Sequence, residues 1–219
     1  MKNAIHYLSA AMLALTLTVS NGAIAQHQEQ AFAKAQESFQ RALRGSEKDN
    51  EAAAEQFKQL SAADPGNPLY SAYYGSTFTL KARDAWAPWN KLKLGEQGLD
   101  LIDKSLKRLK PEHDRITLHG VPVGIETRLV AVSTYFQLPD RFFHRYDSGK
   151  ALLAETMKSP QFIQSPPQIQ ARFHAQAALA AKQDGRTADE VAQLQRALQL
   201  DASGKNADSA RARLKELGA

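Results

Sequence analysis

The sequence predicts an all-α protein, an α-solenoid in which antiparallel helical hairpins stack on one another. Two observations carry that expectation. Apolar residues recur at spacings of three and four through most of residues 26–219, and glycine and proline turn signals cut these runs into helix-sized pieces. Residues 53–78 add a pattern that fits a junction between stacked hairpins. Ala53 and Phe57 stand four apart, Pro65 follows, and Ser71, Tyr74, Gly75 and Phe78 come next. A hairpin repeat needs a small residue where its helices cross, an aromatic to fill the gap between hairpins, and a proline to stop the second helix.

The elements follow in order. Phe32, Ala35, Phe39, Ala42 and Leu43 share one face of a first helix over 31–44, closed by Gly45-Ser46. Asp49 or Asn50 is the expected cap of a second helix with Ala53, Phe57 and Leu60 inward, ending at Asp64-Pro65-Gly66-Asn67-Pro68. A third helix over about 69–82 carries Tyr70, Tyr73, Tyr74 and Phe78, with Gly75 allowing a neighbouring backbone close approach. Its partner is expected late, after an inserted loop at 82–93, as a fourth helix from Leu94 to Leu109 with Gly98 and Ile102 at the crossing and Pro111 as its stop. Residues 111–146 read as irregular, with one firm helix at Ile125–Phe136. Helices are then expected over 147–158, 167–183 and 187–200, the last carrying Glu190 at a position that suits a small residue. A closing helix over 206–217 has Ala207, Ala210, Leu214 and Leu217 inward and five charges outward, the polar cap that stacked repeats require.

The termini and composition restrict the function classes. Lys2 precedes an apolar run from Tyr7 to Val19, and Ala23-Ile24-Ala25 resembles a small-x-small cleavage site. Residues 1–25 therefore read as a secretory signal peptide cleaved after Ala25. An uncleaved anchor is the competing reading, but the run is shorter than the roughly 18 residues that span a bilayer. The processed chain, 26–219, is expected to be a single domain, periplasmic or secreted, with no membrane insertion after cleavage. It is long enough to bury its own core. The absence of cysteine excludes disulfides, thiol nucleophiles and a lipidated cysteine. A net charge of +5 with interspersed signs favours anionic partners weakly and lacks the dense basic stripe of a nucleic-acid binder.

At Ala53, Phe57, Pro65, Tyr74, Gly75 and Phe78 the chain resembles the tetratricopeptide repeat family. The likeness is good over 50–80, partial over 30–50 and 166–200, and poor over 111–160. Arg41 stands 34 residues before Gly75, where the repeat usually has a small residue. The Arg83-Asp84-Ala85-Trp86-Ala87-Pro88-Trp89-Asn90-Lys91 stretch is also similar to a group of exported bacterial repeat proteins of unassigned function. The resemblance implies a curved solenoid whose concave face holds a protein or peptide, and a scaffold rather than a catalyst.

Catalytic signatures are missing. There is no Gly-x-Ser-x-Gly, phosphate-binding loop or dinucleotide fingerprint, and His113 and His119 lie six apart, outside the usual helical metal spacing. No cofactor or metal is expected. Asp100 and Asp103 beside Lys104 and Lys107 read as solvated charge pairs. Two segments offer recognition chemistry. Both tryptophans, Trp86 and Trp89, fall beside Arg83, Lys91 and Lys93, either as a binding lip or, the reading the sequence favours, folded back to seal the space between hairpins. Pro139–Tyr146 alternates Arg141 and Arg145 with aromatics, which suits an anion or a carboxylate, or else anchors a loop while the arginines pair with local acids. Tyr74 and Phe78 are further candidates for the partner groove. The alternative function is an envelope enzyme or small-anion binder with a pocket around His119 and Arg141–Arg145.

Overall fold

A computed structural model describes residues 26–204 and 206–219. The proposed signal segment and Lys205 lie outside the described residues. Among the described residues, eleven helices pack against one another with almost no sheet. They are α1 (26–43), α2 (Glu47–Ala63), α3 (Pro68–Asp84), α4 (Pro88–Lys107), α5 (Val123–Gln137), α6 (Asp140–Phe143), α7 (Tyr146–Lys158), α8 (Pro160–Ile163), α9 (Pro167–Gln183), α10 (Thr187–Leu200) and α11 (Ala207–Glu216). A 3-10 turn at Pro111–Asp114 and a two-stranded antiparallel ribbon, β1 (Thr117–Leu118) and β2 (Val121–Pro122), separate α4 from α5. No helix among the described residues is long and apolar enough to cross a membrane.

Most packing is between neighbours in sequence: α2 on α3, α3 on α4, α9 on α10, and α10 on α11. Helix α5 is the hub, touching α3, α4, α7 and α9. The first core cluster is aromatic. Phe32 and Phe39 of α1, Phe57 of α2, and Tyr70 and Tyr73 of α3 are all buried, and the Phe57 and Tyr73 rings stack at 4.7 Å with planes 6° apart. Tyr70 is fully buried with no partner for its hydroxyl, and burial pushes its pKa up to about 12.

Helix starts follow local chemistry. The Ser46 hydroxyl accepts from the Asp49 amide and is the cap of α2, so the expected cap at Asp49 or Asn50 is corrected. Asn50 is buried instead, and its amide donates to the Thr77 carbonyl of α3 at 3.1 Å. Asn67 caps α3 through the Leu69 amide. The loop expected at 82–93 is the second correction. Helix α3 runs on to Asp84, only Ala85–Ala87 connect, and Pro88 opens α4 at a first-turn position where its missing N–H costs nothing.

The α3–α4 crossing depends on two glycines. A Cβ on Gly75 would lie 2.7 Å from the Gly98 carbonyl oxygen, and one on Gly98 would lie 2.5 Å from that of Gly75, so the backbones touch directly. Ile102 fills the space one turn on and is fully buried. The tip of the β ribbon is His119-Gly120, both with positive φ (49° and 74°), as a two-residue type I′ turn demands. The His119 ring stacks on Phe32 at 5.8 Å, while His113 is buried and its Nδ1 accepts from the Lys110 amide.

At the C-terminal end, α11 lies on α10, with Ala207, Ala210 and Leu214 buried. One of its five charges turns inward: Arg213 forms a two-pronged pair with the buried Glu190, at 2.6 and 3.1 Å. That contact explains a carboxylate where a small residue was expected. Its hydrogen bonds to Arg213 hold the Glu190 pKa below the usual carboxylate value. A group depressed in the folded state stabilises above its unfolded pKa, so this contribution is present at neutral pH and is lost as pH falls through the folded value.

Candidate functional site

A groove of about 480 Å3 is walled by one face each of α1, α3, α5 and α9, and residues of α10 and α11 also line it. Helical spacing supplies the faces. Gln36, Phe39, Gln40 and Leu43 line it from α1, and Gln168, Ala171, Arg172, Ala175 and Gln176 line it from α9, in steps of three and four. Tyr73, Ser76 and Leu80 of α3 face Leu129, Ser133 and Gln137 of α5. The helices between them, α2 and α4, contribute nothing to this wall. Its surface is mainly amides, hydroxyls and short aliphatic patches.

Beneath the floor lies Glu126, in the first turn of α5, where the helix dipole favours a negative charge. It is only 3% exposed. Its Oε1 accepts from the Tyr73 hydroxyl at 2.6 Å and from the Gln36 amide at 2.8 Å. Burial, and then the neighbouring carboxylate, push the Tyr73 pKa well above the ordinary tyrosine value, so at neutral pH this hydroxyl stays protonated and donates. The same Oε1 lies 3.8 Å from Nη1 of Arg172, whose side chain is 40% exposed. That separation balances the charge but is too long to fill a guanidinium donor. Among the described residues lining the groove, Arg172 is the sole cation and Asp201 the sole acid. Arg172 therefore stands on the groove wall with the buried Glu126 as its counter-charge.

The candidate residues read from sequence lie elsewhere: none of Arg83, Trp86, Trp89, Lys91, Lys93, Tyr74, Phe78, Arg141 and Arg145 lines this groove. Arg83 pairs with Asp84 and donates to the Ala42 and Leu43 carbonyls at the end of α1, and Lys91 donates to the Arg83 carbonyl at the end of α3. Tyr74 and Phe78 are half-buried and meet edge to face at 5.1 Å on another side of α3. Arg145 pairs with Asp103 at 2.7 Å, and Asp103 also accepts from the Tyr135 hydroxyl. Arg145 is thus paired as the plain reading of that segment expected, but its acid comes from α4 rather than from nearby in the chain, and Asp103 does not form the solvated helical pair expected of it. Arg141 lies over the exposed Phe142 ring at 4.6 Å. Neither the groove nor the smaller cleft bordered by Asp64, Lys110 and His113 is lined by His119, Arg141 or Arg145.

The packing reading of the tryptophans is overturned. Trp86 is 93% exposed and Trp89 68%, so neither ring seals anything. Asp100 and Lys104 do form the expected exposed pair, at 2.6 Å. No group of three or more potential metal ligands gathers among the described residues.

The groove residues left traces in the sequence. Glu126 and Arg128 are the only charges in α5, and Gln168, Arg172 and Gln176 repeat every four residues along an alanine-rich helix. No family model, no curated protein and no solved structure matches the chain.

Proposed function

We propose that this protein is an exported, non-enzymatic α-solenoid of the tetratricopeptide type that binds an extended polypeptide of a partner protein in the groove. One observation supports the reading: the groove is lined by alternate helices at its start, α1, α3 and α5, and again by α9, with no residue from α2 or α4. A repeat scaffold presents its inner face in that way. Amides and hydroxyls at Gln36, Gln40, Ser133, Gln137 and Gln176 suit a peptide main chain, which offers one donor and one acceptor per residue. Arg172 suits a carbonyl or carboxylate at a fixed point along it. A wall of amides and hydroxyls with a single arginine among its described residues favours a binder over an enzyme or a small-anion pocket. Export accords with the basic residue, apolar run and Ala23-Ile24-Ala25 site of the sequence; N-terminal sequencing of the protein recovered from the envelope fraction should begin at Gln26, and an intact Met1 would refute it.

Binding is tested by selecting decapeptides from a random library on the processed chain and measuring their affinity by fluorescence anisotropy. Arg172→Ala is expected to weaken the selected peptides about tenfold, the equivalent of about 1.4 kcal/mol for one charge-assisted contact. Unchanged affinity in that variant would remove Arg172 from the site.

A further inference from the structure

We propose that the end of the molecule formed by the α3–α4 connection and α6 docks peripherally on an anionic lipid surface. This goes beyond the groove and uses none of its residues. Four of the large apolar side chains left exposed among the described residues gather there: Trp86, Trp89 and Leu92 on the connection and the first turns of α4, and Phe142 on α6. Sequence separates these two segments by some fifty positions, and Gly95 joins them. The Phe143 ring lies so close over Gly95 that a Cβ there would sit 2.4 Å from a ring carbon, which seats α6 against α4 one turn beyond Leu92.

The charges around this patch are mostly basic. Lys93 is exposed, Lys91 and Arg83 are exposed beside the connection, and Arg141 lies over Phe142. Asp84 offsets Arg83, so Lys91, Lys93 and Arg141 stand against the exposed Asp140 and Glu96. Phosphate headgroups complement this rim, because cations near an anionic surface strengthen attachment.

A bilayer fits better than a protein. Residues that dominate protein interfaces sit in walled, preorganised pockets, whereas Trp86 protrudes from a three-residue connection with almost nothing of its own chain against it. Indole rings partition to the headgroup layer, and arginine and lysine stems reach outward from it. Docking of this kind lies in the interface and requires no spanning helix. It would leave the groove open, since α4 does not line it.

The chain offers its own probe, because Trp86 and Trp89 are its only tryptophans and intrinsic fluorescence reports this patch alone. With vesicles of phosphatidylglycerol and phosphatidylethanolamine, emission should shift to the blue and be quenched by brominated acyl chains, and phosphatidylcholine vesicles should do so far less. In co-sedimentation, Trp86→Ser/Trp89→Ser should partition about tenfold more weakly. Lys93→Glu/Arg141→Glu should lose the preference for phosphatidylglycerol. All four side chains are solvent-facing, so circular dichroism should be unchanged in both variants. Emission unmoved by phosphatidylglycerol vesicles, or wild-type sedimentation of the double serine variant, would overturn the proposal and leave a protein as the occupant of the patch.

Discussion

Gly98→Val is expected to lower the thermal midpoint by about 10 °C, a loss of about 3 kcal/mol for a chain of this size. Two effects oppose each other at this site. Replacing a mid-helix glycine gains up to about 1 kcal/mol of helix propensity. Against it, the first side-chain carbon would lie 2.5 Å from the Gly75 carbonyl oxygen and 2.7 Å from a Thr79 methyl. The carbonyl belongs to backbone and cannot rotate aside, so α3 and α4 must separate along a crossing that also seats Ile102. The steric cost should win. Gly98→Ala is the finer probe, since it adds one carbon at the point of contact. A midpoint equal to or above wild type for both variants in a circular-dichroism melt would mean that the two backbones do not touch.

Glu126→Ala should destabilise the fold by a similar amount, about 3 kcal/mol, because it strands several groups at once. The Tyr73 hydroxyl and the Gln36 amide lose their shared acceptor, and Arg172 loses its balancing charge. Glu126→Gln preserves an acceptor for Tyr73 and Gln36 and removes only the charge, so it should cost about 1 kcal/mol. Chemical denaturation of the two variants separates these contributions. Equal losses would assign the stabilisation to the Arg172 charge pair, and no loss in either would remove Glu126 from the structural ledger of the groove.

The helices were legible where their ends were marked by local chemistry. Residues 167–183 and 187–200 match α9 and α10 because Pro166-Pro167 and Asp184-Gly185 specify their ends without help from the rest of the fold. The cap of α2 lies three or four residues ahead of the expected one because Ser46, Asp49 and Asn50 are all competent caps, and the choice fell to packing: burial of Asn50 against Thr77 leaves Ser46 outside. The 82–93 segment misled because Pro88 and two tryptophans read as a loop, whereas proline is compatible with a helix start and the indoles simply face solvent. The groove was less legible still. Gln36, Gln40, Gln168 and Gln176 are indistinguishable in sequence from a solvated helix face, and whether that face is concave depends on how α1, α3, α5 and α9 are set against one another. Glu126, the one acid of α5, is the most distinctive trace it leaves in the sequence. The joining of Trp89 and Phe142 at one end rests on a single glycine, Gly95, that periodicity does not single out.

The central claim is that a polypeptide lies in the groove, and filling the groove tests it most directly. Ser133→Trp places an indole on the α5 wall at a position that is not fully buried, so the fold should tolerate it, with circular dichroism as the control. Peptides selected on the wild-type chain should lose measurable binding to Ser133→Trp in fluorescence anisotropy while keeping their affinity for Trp86→Ser/Trp89→Ser. Peptides that bind Ser133→Trp as tightly as wild type, or a library that yields no binder at all, would contradict the account.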